Sequence, residues 1–106
     1  MKSSDCDELR YNTIRYHLMI GKRTTVSLDK VISNLIAIKM GIDPFSDNAH
    51  SEIRKKLQEI ITPHYRRGSD RKPTQFVTEY ALLWLVGKAM ADEYEDCLAG
   101  LGTYAQ

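Results

Sequence analysis

Cysteine is scarce in this sequence, and the two residues present, Cys6 and Cys97, lie near opposite ends with no CxxC and no histidine at ligand spacing. That spacing excludes the common zinc patterns and a disulfide-framed secreted fold, and it predicts reduced thiols in a cytoplasmic protein, with a Cys6–Cys97 bridge as the less favoured alternative. Long apolar runs are also missing. The longest, residues 81–86, is bracketed by Glu79 and Lys88 and falls far short of the ~20 residues that span a bilayer. No Gly-rich phosphate loop and no nucleophile motif occurs, and His17, His50 and His64 fall in three different segments. The expectation is a non-enzymatic protein with no metal and no cofactor. Repeats and low-complexity tracts are absent as well.

What is present fits one small domain. The chain has 106 residues, 42% hydrophobic and 27% charged, enough for a single core. The opening MKSSDCDELR carries acids and lacks an apolar core segment, so it does not have the pattern of a signal or transit peptide. Residues 1–13 are expected to be a flexible N-terminus. The net charge of +1 hides an uneven distribution. Residues 10–72 hold thirteen bases against six acids, a net +7, whereas residues 73–106 hold one base against five acids, a net −4. A basic body points to a polyanionic partner, against the alternative of an ordinary solvated surface.

Residues 14–20 (IRYHLMI) read as a strand, with Tyr16, Leu18 and Ile20 on one face and Arg15, His17 and Met19 on the other. Residues 24–28 alternate again, Thr24, Val26 and Leu28 against Arg23, Thr25 and Ser27. Asp29 offers an N-cap, and the apolar spacing then predicts a helix to Met40 that ends at Gly41. Ser46, Asp47 or Asn48 can cap a second helix, with Ala49, Ile53, Leu57, Ile60 and Ile61 at helical spacing and Pro63 near its end. Residues 63–73 form a basic linker, for which a solvated loop is favoured over phosphate contact. A third helix is predicted from Thr74 to about Leu98, its centre YALLWLVG buried on all sides. Phe76, Tyr80, Leu83 and Trp84 are then core or dimer interface. The C-terminal part, residues 74–106, belongs to the same domain or serves as a dimerisation element.

The order strand, cap, helix, turn, helix, together with the stretch RTTVSLD, resembles the ribbon-helix-helix family of DNA-binding proteins, the fold of the Arc and methionine repressors. The resemblance spans residues 14–62. It implies a mainly α fold in which short strands from two chains pair antiparallel and enter the DNA major groove, with an additional C-terminal helix. It also implies a sequence-specific DNA-binding homodimer: a small bacterial or plasmid repressor, an antitoxin, or a partition or transfer accessory factor. Carried over to this chain, the base-contacting positions are Arg23, Thr25 and Ser27, whose side chains suit guanine, thymine methyl and other base edges. The phosphate-contacting positions are Lys22, Ser46 and Asn48. Two departures stand out. Asp47 repels a phosphate, and the turn GIDPFS is longer than the tight turn usual in the family.

A local alternative remains open. Gly21 permits a hairpin in which residues 14–20 fold back on residues 24–28 within one chain, giving a monomeric α+β domain with three helices. A three-residue loop at Gly21, Lys22 and Arg23 keeps the apolar faces together, and a two-residue loop at Gly21 and Lys22 opposes them to polar ones. Two functional classes follow. One is the DNA-binding homodimer, for which a strand with few partners in its own chain is the argument. The other is a small protein–protein interaction domain that acts through its C-terminal helix.

Overall fold

The computed structural model describes residues 12–65 and 71–100, and its strands pair within one chain. Strand β1 (Thr13–Met19) and strand β2 (Arg23–Asp29) form a two-stranded antiparallel hairpin, followed by helices α1 (Lys30–Lys39) and α2 (Ala49–Ile61), a 3-10 turn (Thr62–His64), and helices α3 (Pro73–Val86) and α4 (Lys88–Leu98). The fold is thus mainly α with an N-terminal hairpin. β2 already has a partner in its own chain, which removes the premise that it needs a second copy to pair at all.

The register differs from both loops anticipated. Leu18 faces Thr24, Tyr16 faces Val26 and Ile14 faces Leu28, so the loop is Ile20, Gly21 and Lys22, with glycine in the middle. The parity argument survives, because three loop residues keep even positions opposite even positions and the alternation puts one set inside. Tyr16, Leu18, Val26 and Leu28 are buried. Gly21 has φ +78°, and a Cβ there would collide with the Tyr65 hydroxyl. The tip is therefore held beneath the residue that follows the 3-10 turn, in a conformation that disfavours any other residue.

Asp29 caps α1 as its sequence predicts, its carboxylate accepting the Val31 amide at 2.9 Å. α1 buries Ser33, Ile36 and Ala37 but leaves Val31, Leu35 and Ile38 in solvent. α2 buries Ala49, Ile53, Leu57 and Ile61, one stripe at helical spacing, and begins after Asn48, whose side chain makes no capping bond. The expected single C-terminal helix is two. Gly87, at φ +97°, breaks it between α3 and α4, a conformation that the glycine in YALLWLVG tolerates and a side chain does not. The start is corrected too, with Pro73 in the first turn and Lys72 at the cap position in place of Thr74. Nor is the centre of α3 buried on all sides. Phe76, Val77 and Ala81 are interior, Tyr80, Leu83, Trp84 and Leu85 half-buried, and Leu82 and Val86 exposed.

Polar contacts tie these layers together. Lys39, at the end of α1, donates to the Trp84 and Leu85 carbonyls at 2.5 and 3.2 Å and lies 4.5 Å from the centre of the Trp84 ring. A cation thus satisfies the last turn of α3, where the helix dipole is negative. Tyr16 links the hairpin to both following helices. Its ring stacks on His50 of α2 at 4.5 Å, and its hydroxyl shares a 2.5 Å hydrogen bond with the buried Ser33 of α1. Burial pushes the Tyr16 hydroxyl above its ordinary value of 10.0, opposed by the Ser33 bond. A phenol whose pKa is raised by folding adds stability that is complete below the unfolded value and is lost as pH climbs through the folded one. Tyr16→Phe is therefore expected to lower stability by about 1–2 kcal/mol at neutral pH through the orphaned Ser33 hydroxyl, and to flatten the fall in stability above about pH 10. Tyr16→Phe with Ser33→Ala should recover part of the neutral-pH loss. Denaturant melts of the single and double variants between neutral and alkaline pH check both outcomes.

Candidate nucleic-acid interface

Backbone hydrogen bonds decide which way each strand residue faces. Ile20 N–H donates to the Lys22 carbonyl at 2.9 Å and Lys30 N–H to the Asn12 carbonyl at 2.8 Å, so even-numbered pairs exchange the ladder bonds. In an antiparallel pair the intervening residues then point their N–H and C=O groups outward, away from the partner strand. On β1 these outward groups meet α2, which runs parallel to the strand. His50 Nε2 donates to the Arg15 carbonyl at 2.9 Å, and the Gln58 amide accepts from Met19 N–H at 2.7 Å and donates to Met19 C=O at 3.1 Å. Gln58 thus serves as a third strand at that point. On β2 the outward backbone groups of Arg23, Thr25 and Ser27 make no hydrogen bond to any other described residue. One edge is met by side chains of α2 at two positions, Arg15 and Met19, and the other is open.

The same parity sets the solvent face. Its cross-strand pairs are Thr13 with Asp29, Arg15 with Ser27, His17 with Thr25 and Met19 with Arg23. Arg23 and Thr25 are exposed and Ser27 half-buried, while Val26 and Leu28 point inward with the half-buried Thr24. The structure brings the three predicted base-contacting residues together on one face. Arg15 and His17 join them, as the hairpin alternative required. Thr25 Oγ1 and His17 Nδ1 lie 3.0 Å apart, a contact across non-hydrogen-bonded neighbours where side chains approach most closely. That bond orients the threonine hydroxyl, and only the strand register locates it.

The cations of this face are free of ion pairs among the described residues. Among the described residues the ion pairs are Lys55–Glu52, Lys56–Glu59, Arg71–Glu79 and Lys88–Asp92, all in the helical part or just before it. Arg15, Lys22 and Arg23 make none. The face's single carboxylate, Asp29, sits at the far end and holds the start of α1.

The predicted phosphate-contacting residues do not form one cluster. Lys22 is at the hairpin tip, exposed, its carbonyl accepting from the Thr24 hydroxyl at 3.0 Å. Ser46 and Asn48 precede α2, with Ser46 Oγ 2.8 Å from the Asp43 carbonyl oxygen and 2.9 Å from Asn48 Oδ1. Since α2 places His50, in its first turn, beside Arg15, and the 3-10 turn that follows it leads to Tyr65 over Gly21, the two positions flank the ribbon at opposite ends, roughly 20 Å apart by the rise of a 13-residue helix.

Elsewhere, a cleft of about 610 Å³ lies between α2, α3 and α4, with Trp84, Tyr80 and His64 among its walls and Glu59, Asp92 and Glu95 among its charges. Among the described residues no three metal-ligating side chains gather, and no helix is long and apolar enough to cross a membrane. Cys97 is half-buried, and Cys6 and residues 66–70 of the basic linker lie outside the described residues. Comparison with known families, curated proteins and solved structures found no match.

If Gln58 closes the β1 edge, Gln58→Ala should leave Met19 N–H to water. Its amide is then expected to exchange measurably faster, and stability to fall by about 1 kcal/mol, the net value of an ordinary hydrogen bond. Residue-resolved hydrogen exchange reads this, and unchanged exchange at Met19 would show that the edge is closed by something else.

Proposed function

We propose that the protein binds duplex DNA through the solvent face of the hairpin, as a sequence-specific DNA-binding protein of the ribbon type. The observation that carries this reading is the cluster of Arg15 and Arg23, cations without an ion-pair partner among the described residues, beside the exposed His17 and Thr25 and the half-buried Ser27. A two-stranded ribbon fits the major groove, which is about 12 Å wide. Arg23 has the fork geometry for guanine, and the threonine and serine suit base edges. In this reading Lys22 at the tip and Ser46 and Asn48 at the other end would contact backbone phosphates. Control of transcription, or a related task on bacterial or plasmid DNA in the cytoplasm, is the process this activity would serve.

The acting species in this reading is a homodimer. Two exposed features support it: the open edge of β2, and the apolar stripe Val31, Leu35 and Ile38 on the helix that leaves β2. Antiparallel pairing of β2 with a second copy about Thr25 sets Arg23 opposite Ser27, so no like charges meet. Sedimentation at micromolar concentration should report a dimer, and Leu35→Lys should convert it to a folded monomer. A parent protein that sediments as a monomer overturns the dimer.

The DNA reading has its own test. A duplex is selected from a random pool, and binding is measured against salt. The slope of log K against log salt should be about −0.9 for each phosphate neutralised. Arg23→Ala and Thr25→Ala should each lower preference for the selected site by roughly 1–3 kcal/mol while leaving the melting temperature unchanged. Val26→Ala should do the reverse, costing about 1–3 kcal/mol of stability as a lost core contact with no change in preference. Equal binding by parent, Arg23→Ala and Thr25→Ala would remove the hairpin as the reading element.

A further inference from the structure

Helix α4 is anomalous by the standards of the rest of the chain. It has eleven residues and none is buried, and an isolated helix of that length is marginal in water. Its main packing partner is α3, reached across the left-handed Gly87. Yet its sequence, KAMADEYEDCL, is amphipathic. Met90, Tyr94 and Leu98 recur at intervals of four and are 62%, 43% and 66% exposed, a continuous stripe along one side.

The charges say what kind of surface covers it. Residues 88–98 contain one lysine and four acids. Lys88 is matched to Asp92 at 2.7 Å, and Glu93 accepts from the Cys97 thiol at 3.6 Å. Glu95 and Asp96 make no ion pair among the described residues, although Glu95, second to Asp92, is near enough to Lys88 to help raise its pKa, and the segment as a whole keeps a net −3. By helical position Glu93 and Glu95 fall about 100° to either side of Tyr94, so acids border the stripe on both flanks. A second copy of α4 laid against the first would oppose these acids to each other, and a nucleic acid or anionic lipid surface would be repelled likewise.

We infer that α4 is a docking helix for a different protein, and that its partner presents an amphipathic helix with leucine-type anchors and lysine or arginine flanks. The recognition is of the helix-in-groove kind, with Met90, Tyr94 and Leu98 as anchors and the carboxylates setting orientation and rejecting acidic competitors. The surface is separate from the basic hairpin face and from the α1 stripe. It stands or falls without the DNA reading or the dimer.

The probe is a fluorescein-labelled amphipathic Leu/Lys peptide of about fifteen residues, long enough to form a helix on binding. Its controls are a peptide of the same composition in scrambled order and a Leu/Glu analogue. Anisotropy should show binding of the Leu/Lys peptide that weakens with salt, with backbone amide shifts confined to residues 86–98. The scrambled and Leu/Glu peptides should bind at least tenfold more weakly. Met90→Ser with Leu98→Ser should lose at least tenfold in affinity, about 1.4 kcal/mol, while melting temperature, sedimentation and DNA binding stay at parental values. Glu95→Lys with Asp96→Lys, which spares the apolar stripe, should weaken the Leu/Lys peptide and admit the Leu/Glu one. Any one of four results overturns the inference: no peptide binding, equal binding of the scrambled peptide, equal binding by the serine variant, or self-association of the parent that the serine variant abolishes.

Discussion

The three-residue loop at the hairpin tip is the constraint from which the rest follows. With Ile20, Gly21 and Lys22 in the turn, even positions oppose even positions, and every alternate side chain on both strands points the same way. A loop longer or shorter by one residue would turn Tyr16 and Leu18 inward on one strand and Arg23 and Thr25 inward on the other. Gly21 supplies the left-handed φ that this loop adopts, and Tyr65 closes over it. The tip is therefore fixed by backbone conformation and by the end of α2 together.

From that register the inner and outer chemistries separate. Inside, Tyr16, Leu18, Val26 and Leu28 form the floor on which the helices pack. The one deep polar contact among the described residues, Tyr16 with Ser33, is satisfied within the pair, so the core tolerates it without an orphaned hydroxyl. Outside, the odd positions gather two arginines, a histidine, a threonine and a serine. The backbone follows the same alternation. On β1 the outward Arg15 carbonyl and the Met19 N–H and C=O are met by His50 and Gln58, whereas the outward groups on β2 make no such bond. One parity rule thus sets core, face and edges.

Much of this was legible from residue order because the signals are local. Alternation gave both strands to within one residue at their ends, Asp29 announced α1, and the apolar stripe of α2 gave its interior. The outward set Arg23, Thr25 and Ser27 follows from the same alternation. Long-range facts were not legible. Strand pairing partner and register depend on which surfaces meet, and a strand read alone does not distinguish its own chain from a copy. Gln58 and His50 reach β1 across 39 and 35 residues, and the contact of His17 with Thr25 exists only in one register. The break at Gly87 was hidden because the flanking segments both have helical spacing and a glycine inside a helix is tolerated at about 1 kcal/mol.

An intrachain hairpin changes how a dimeric reader would meet DNA. Strands in a sheet lie about 4.8 Å apart, so two of them fit a groove about 12 Å wide with room for side chains, and four do not fit side by side. If two copies join along β2 as proposed, the central pair is β2 with its copy, and the β1 strands lie at the groove's rims. Arg23, Thr25 and Ser27 of both copies then face base edges. Arg15 and His17, one strand further out, face the phosphates that line the groove. The edge of β1 suits that outer place, since α2 lies along it and already takes up the Arg15 carbonyl and both Met19 backbone groups. In that arrangement sequence reading by β2 and backbone holding by β1 would be two roles of one sheet, and the edge along which α2 lies would be the one that has no further strand to receive.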